Sequence, residues 1–214
     1  KDVSPEALAQ RFLRKSWIEN QRKELFRELF QFLNARVIEL GLDYVFNNIE
    51  LPLIPVLAET EKYGIHINSE TLDKLNKKLN SDLNDLENEI YKMAGLRFNL
   101  NSPKQLSGVL FTKIIPKLGK TKTTKTGQKS TAEDVLKELA AVHPIIPKIL
   151  EYREAFKIKS TYVLPLLRAS KDGKVYTTFV QTGTSTGRLS SEKPNLQNIP
   201  ADSKWAIPLR RSFE

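Results

Sequence analysis

Residues 177–200 read TTFVQTGTSTGRLSSEKPNLQNIP, and the fold and the chemistry both turn on this stretch. It opens on an alternating run, passes through a Gly/Thr/Ser segment ending at Arg188, and closes on a polar loop with Asn195, Gln197 and Asn198 between two prolines. Many small hydroxyls and amides around one arginine make a neutral hydrogen-bonding surface with one fixed cation. That chemistry suits a polar, extended, negatively charged ligand, with nucleic acid the first candidate. Arg188 read alone also fits a structural arginine pairing a buried carboxylate.

Outward from this stretch, charge is distributed unevenly. The 214 residues carry a net +9, yet residues 1–89 hold 12 Lys/Arg against 16 Asp/Glu. Residues 90–132 hold nine Lys/Arg and no acid, and residues 133–214 hold 13 against nine. A 43-residue span without a carboxylate projects a positive field that draws polyanions. A merely solvated lysine loop is the plainer reading of the same span. Cysteine is absent and only His66 and His143 supply imidazole, which argues against a disulfide scaffold and a zinc site. No run approaches the ~20 apolar residues of a membrane span, and no signal-peptide pattern opens the sequence. A cytoplasmic setting is expected.

The most regular periodicity lies upstream. Leu72, Leu75, Leu79, Leu83, Leu86, Ile90 and Met93 form a near-heptad seam on a helix capped by Asn68 or Ser69 and stopped by Gly95. Its expected partner is a helix over 147–167, where Ile149, Phe156 and Val163 recur every seven residues, so that the two form a long antiparallel pair. The fifty residues between them predict a small helical tip. Ser102-Pro103-Lys104-Gln105 and Ser130-Thr131-Ala132-Glu133 read as capping boxes. Between them GKTKTTKTGQK (119–129) lacks the GxxxxGK(S/T) spacing of a P-loop but suits a sugar-phosphate backbone. Residues 7–46 read as helical, with Leu25, Phe26, Leu29, Phe30, Leu33 and Val37 on one apolar face. Ile65-His66-Ile67 reads as a short strand in which His66 is structural. Val175–Val180 reads as a strand, 182–189 as its continuation or partner, and 204–213 as a further strand. The fold class is therefore mainly α with a small β portion.

Several segments together resemble family A (DNA polymerase I-like) DNA polymerases. QTGTSTGRLSSEKPNLQNIP is similar to the family signature at the start of the palm, just before its first catalytic-carboxylate motif. ELPLIPVLAETEKYGI resembles the entry to the polymerase domain, FNLNSPKQL and KTKTTKTGQKST the thumb, and ILEYREAFKIKSTYVLPL the second long thumb helix. The resemblance implies three parts: residues 1–47 as the last helices of an exonuclease-like domain, 48–170 as the thumb, and 171–214 as the opening of the palm. It implies a DNA-directed DNA polymerase acting in replication and repair, monomeric and nucleoid-associated, with primer–template DNA and dNTP as partners. It implies contacts to the duplex backbone from Asn101, Ser102, Gln105, Thr123, Lys125, Lys129, Ser130, Thr131, Lys157, Lys159 and Ser160. Arg188 would reach the minor groove near the primer terminus, with Asn195, Gln197 and Asn198 at the template strand or adjacent minor-groove atoms. The two-metal (Mg2+) site of the family would draw its aspartates from beyond Glu214, as would the nucleotide-binding fingers helix. Asp172 and Asp202 sit in turn-like contexts unlike those ligands, and residues 1–46 carry no exonuclease motif. This segment alone is expected to grip without catalysing. A non-catalytic, sequence-independent nucleic-acid-binding module is the competing expectation, and a helical interaction protein a third.

Overall fold

The computed structural model describes residues 2–17, 19–116, 122–124, 127–201 and 203–213. The chain divides into two compact units, Lys1–Thr60 and Glu61–Glu214, the division falling near the end of one helix.

The first unit is helical. Ser4 Oγ accepts from the Ala7 N–H at 3.2 Å and opens α1 (Pro5–Leu8), with Pro5 at its first position. Then follow α2 (Arg22–Glu39), α3 (Asp43–Val45) and α4 (Leu51–Tyr63). The apolar face expected on α2 is split. Leu25 and Leu29 are buried, whereas Phe26 and Phe30 are 56 % and 60 % exposed. Phe30, Leu33 and Val37 instead line a groove of about 470 Å³ with Phe12, Leu40 and Phe46. Residues one position apart on a helix point about 100° from each other, so six apolar residues make two faces and the core takes one.

The second unit is built on α5 (Ser69–Ala94). Asn68 Oδ1 accepts from the Thr71 N–H at 2.9 Å, and Gly95 closes the helix in the left-handed conformation at φ 70°, its N–H on the Tyr91 carbonyl. Every seam residue from Leu72 to Ile90 is buried. Then come α6 (Pro103–Val109), α7 (Glu133–Glu138), α8 (Ile145–Lys157) and α9 (Leu164–Ala169), the last two joined by a wide π-type segment, Ile158–Val163. α8 packs along α5. Their antiparallel sense shows at both ends: Ser69 Oγ lies 3.2 Å from Ser170 Oγ, and Lys148 Nζ lies 2.8 Å from Glu89 Oε2. The seven-residue count misplaces one contact. Ile149 and Val163 are buried, but Phe156 is 37 % exposed and the seam passes through buried Ala155, whose small side chain lets the helices approach.

The strands are short. β1 (Ile65–His66) pairs antiparallel with β2 (Lys174–Val175), and β3 (Thr178–Val180) with β4 (Ser190–Glu192) in the register Phe179↔Ser191. Residues 182–189, expected to be strand, form the turns joining β3 to β4. The strand expected over 204–213 is instead a helix, α10 (Ala206–Arg210). Ser203 Oγ accepts from the Trp205 and Ala206 N–H groups at 3.2 and 3.3 Å, and Pro208 falls within the first turn, where its missing N–H costs little. Only Phe213 returns to extended pairing, with Ile67. Trp205 is buried, its indole N–H donating to Asp82 Oδ2 of α5 at 2.9 Å. Among the described residues no helix is long and apolar enough to cross a membrane.

Candidate nucleic-acid interface

The β3–β4 hairpin carries Arg188 at one end of β4 and the Asn195–Asn198 loop at the other. Arg188 and Asn195 are seven positions apart, so the two lie at most ~25 Å apart along the chain. They flank the short strand β4 on either side. Arg188 is exposed and has no carboxylate within ion-pair distance among the described residues. Its backbone is fixed instead: the Thr184 hydroxyl donates to the Arg188 carbonyl at 2.8 Å, and Gly187 precedes it at φ 76°, a conformation that suits glycine. The absence of a side chain at Gly183 lets that backbone sit against the Ser190 hydroxyl.

The Asn195–Asn198 loop is held from behind. Asn195 Oδ1 accepts from the Gln197 and Asn198 N–H groups at 3.0 and 3.2 Å, curling the loop. Buried Ser191 accepts from the Leu196 N–H at 2.8 Å, buried Thr177 reaches the Glu192 and Pro194 carbonyls at 3.0 and 2.8 Å, and Tyr162 donates to the Asn198 carbonyl. The Phe179 N–H is taken by Glu61. These contacts leave the Gln197 and Asn198 side chains on the surface. Gln197 lines a hollow of about 410 Å³ with Arg210, Leu196, Ile199, Ile65 and Phe213.

The tip forms a hairpin. Thr123 bridges Lys129, the Ser130 N–H donates to the Lys122 carbonyl at 2.8 Å, and the Thr124 N–H to the Gln128 carbonyl at 2.7 Å. Lys129 Nζ lies 5.3 Å from the Phe111 ring centre. Lys125 lies outside the described residues. Thr131 is buried at 5 %, its hydroxyl 3.2 Å from Arg153 Nη2 and its carbonyl taken by Nη1. Burial pulls the Arg153 pKa below the usual guanidinium range. The buried Ser107 hydroxyl donates to the Lys129 carbonyl at 2.8 Å, so Ser107, Thr131 and Arg153 hold the hairpin from inside.

The two expected capping boxes form only in part. Ser102 Oγ accepts from the Gln105 N–H at 3.4 Å, but Gln105 turns its side-chain oxygen to the Asn99 N–H at 2.8 Å rather than to Ser102. In the second, the residue before α7 is Ala132, and Ser130 Oγ accepts from the Ala132 N–H at 3.2 Å as a local turn. Asn101 donates to the Tyr152 hydroxyl at 3.3 Å, Tyr152 stacks on Phe156 at 6.1 Å, and the Ser160 hydroxyl donates to the Phe156 carbonyl at 2.7 Å. Asn101 and Ser160 thus meet the two ends of the Tyr152–Phe156 stack. Lys157 instead borders a cleft of about 630 Å³ with Glu133, Lys137, Leu150, Arg153, Glu154 and Pro200, while Lys159 is half-buried.

Sequence reasoning missed Arg153, Tyr162, Thr177 and Ser191, which position the surface rather than form it. Thr177 had a signal in the alternating run. Arg153 had none, because its partner is 22 residues away. Among the described residues no three His, Asp or Glu side chains gather as a metal ion would require. Asp172 sits in a turn at φ 51°, and Asp202 lies outside the described residues.

The second unit is thus a helical stalk with a basic hairpin at its tip and paired strands at its base. A sequence profile of DNA polymerase family A matches residues 69–214, and the chain belongs to that family. It is 41 % identical over 218 residues to the thermostable DNA polymerase I of Thermus thermophilus, covering 99 % of this chain and 26 % of that protein. It is 47 % identical over 193 residues to DNA polymerase I of Caldicellulosiruptor bescii, covering 89 % and 22 %. The solved polymerase domain of Pol1 from M. smegmatis, in complex with DNA primer-template and dNTP, matches at a TM-score of 0.89 and 34 % identity, covering 100 % of this chain and 38 % of its own. The chain spans about a quarter of the length of the curated relatives it matches.

Proposed function

We propose that this chain is the duplex-gripping part of a template-directed DNA polymerase. In this reading residues 48–170 are the thumb, 171–214 the opening of the palm, and 1–47 the last helices of an exonuclease-like domain. The observation that carries it is the family match running through the hairpin on which Arg188 stands exposed, with no ion-pair partner among the described residues and its backbone tied in place.

A polymerase must hold any sequence. Minor-groove acceptors, purine N3 and pyrimidine O2, occupy nearly the same place in every correct pair, so an arginine aimed there reads pair geometry and not base identity. Arg188 takes that role. Asn195, Gln197 and Asn198 meet the template strand, Asn195 chiefly by shaping the loop. Thr123, Lys125, Lys129, Ser130, Asn101, Ser102, Gln105, Lys157, Lys159 and Ser160 serve the sugar-phosphate backbone, and Thr131 supports the tip from within.

The whole protein then works as a cytoplasmic, nucleoid-associated monomer on primer–template DNA and dNTP. The divalent ions of such a reaction, Mg2+ first among them, do not fit the side chains described, so their ligands come from elsewhere in the whole protein. Arg188→Ala in the whole protein tests the reading. A charge-assisted hydrogen bond lost near the primer end should slow extension by about 10- to 100-fold. Duplex affinity should fall far less. Near-normal extension by that variant would remove Arg188 from the role.

A further inference from the structure

The long carboxylate-free span meets its first acids on α7, and there one lysine of the tip is already occupied. Lys122 Nζ lies 2.9 Å from Asp134 Oδ2 and 3.7 Å from Glu138 Oε1. All three side chains are largely exposed, so phosphate can reach the same cation. The backbone beneath Lys122 is fixed by the Ser130 N–H, so the side chain can change partner without unfolding the hairpin. The hydrogen bond with Asp134 raises the Lys122 pKa and lowers that of Asp134, as expected for a formed pair. An exposed ion pair is weak, which makes it easy to exchange.

We propose that Asp134 and Glu138 occupy Lys122 in the free protein as an intramolecular substitute for phosphate, and that duplex binding exchanges them for the DNA backbone. The pair sets affinity: it withholds one cation from a polyanion until the duplex is seated, and it leaves two carboxylates that take up counterions as the phosphate arrives. This rests on the reading of the tip as a duplex contact. Glu133, on the same helix, pairs with Lys137 at 2.6 Å and provides a control that removes a carboxylate from α7 without touching Lys122.

The experiment measures binding of the whole protein to a mixed-sequence duplex across a salt series. Asp134→Asn combined with Glu138→Gln is expected to tighten binding by about two- to fivefold, the scale of one surface ion pair. The same change should steepen the slope of log affinity against log salt by up to ~0.9. Adding Lys122→Met should cancel both gains, and Glu133→Gln alone should leave affinity near that of the parent. No gain, a gain that survives Lys122→Met, or an equal gain from Glu133→Gln overturns the proposal. Lys157→Met separates the two levels of failure. If it weakens binding while the α7 variant changes nothing, only this inference fails. If duplex binding responds to neither, the duplex-gripping reading fails with it.

Discussion

Tyr91 shows how a single side chain carries the transition from stalk to tip. Its hydroxyl lies 2.6 Å from Glu87 Oε1 and 2.7 Å from the Phe98 carbonyl, and its ring meets Phe98 edge-on at 5.7 Å. The chain leaving α5 is thereby fastened three residues before Asn101. Burial, reinforced by the Glu87 carboxylate, pushes the Tyr91 pKa up to about 12. The unfolded value is about 10, so between the two the native state holds a proton that the unfolded state has lost. Stability from this group is therefore complete below pH ~10 and declines as pH rises through ~12. In an ultraviolet tyrosinate titration, Tyr91→Phe should remove one residue's amplitude from the late, high-pH phase. Loss from the early phase instead would mean that the hydroxyl is not protected. Residues whose partners are local were legible in the same way: Asn68, Gly95 and Ser102 each act within four positions of themselves. Tyr162 and Arg153 were not, because their partners lie 36 and 22 positions away and only folding brings them together.

At the scale of elements, periodicity was the reliable guide wherever one face alone is apolar. The α5 seam is read from spacing because charged residues fill the opposite face, and all its leucines are buried. α8 and its continuation are apolar on more than one side, so a seven-residue count chose Phe156 where packing chose Ala155. The strand expected over 204–213 does not form because Ser203 and Pro208 favour a helical turn. These assignments differ in energy and can be separated. Leu79 is fully buried on the seam, and Leu79→Ala should cost about 2–5 kcal/mol of unfolding free energy. Phe156→Ala removes a ring already partly in water and should cost no more than about 2 kcal/mol. Urea titration followed by tryptophan fluorescence measures both, since Trp205 is buried beside α5. A Phe156 variant as damaged as the Leu79 variant would place Phe156 in the seam after all.

For the molecule as a whole, charge distribution was the most legible feature, and it concerns function more than fold. Nine cations in 43 residues without an acid are visible in the sequence. The neighbours of those cations are not: Lys122 faces two carboxylates of α7, and Lys129 lies over Phe111. Likewise Arg188 and the Asn195–Asn198 loop read as one polar stretch, and the short strand β4 between them enters only with the structure. Contacts to phosphate and contacts to base edges predict different responses to salt. Each phosphate neutralised by a lysine contributes about −0.9 to the slope of log affinity against log salt, because a condensed counterion is released. Lys157→Met and Lys159→Met in the whole protein should therefore each flatten the slope by about 0.9 and weaken binding equally for every duplex sequence. Arg188→Ala should leave the slope nearly unchanged, since a minor-groove hydrogen bond displaces no phosphate counterion, while primer extension falls. A flattened slope in the Arg188 variant would reassign that arginine to the backbone, and unchanged slopes in both lysine variants would remove the end of α8 and the segment after it from the grip.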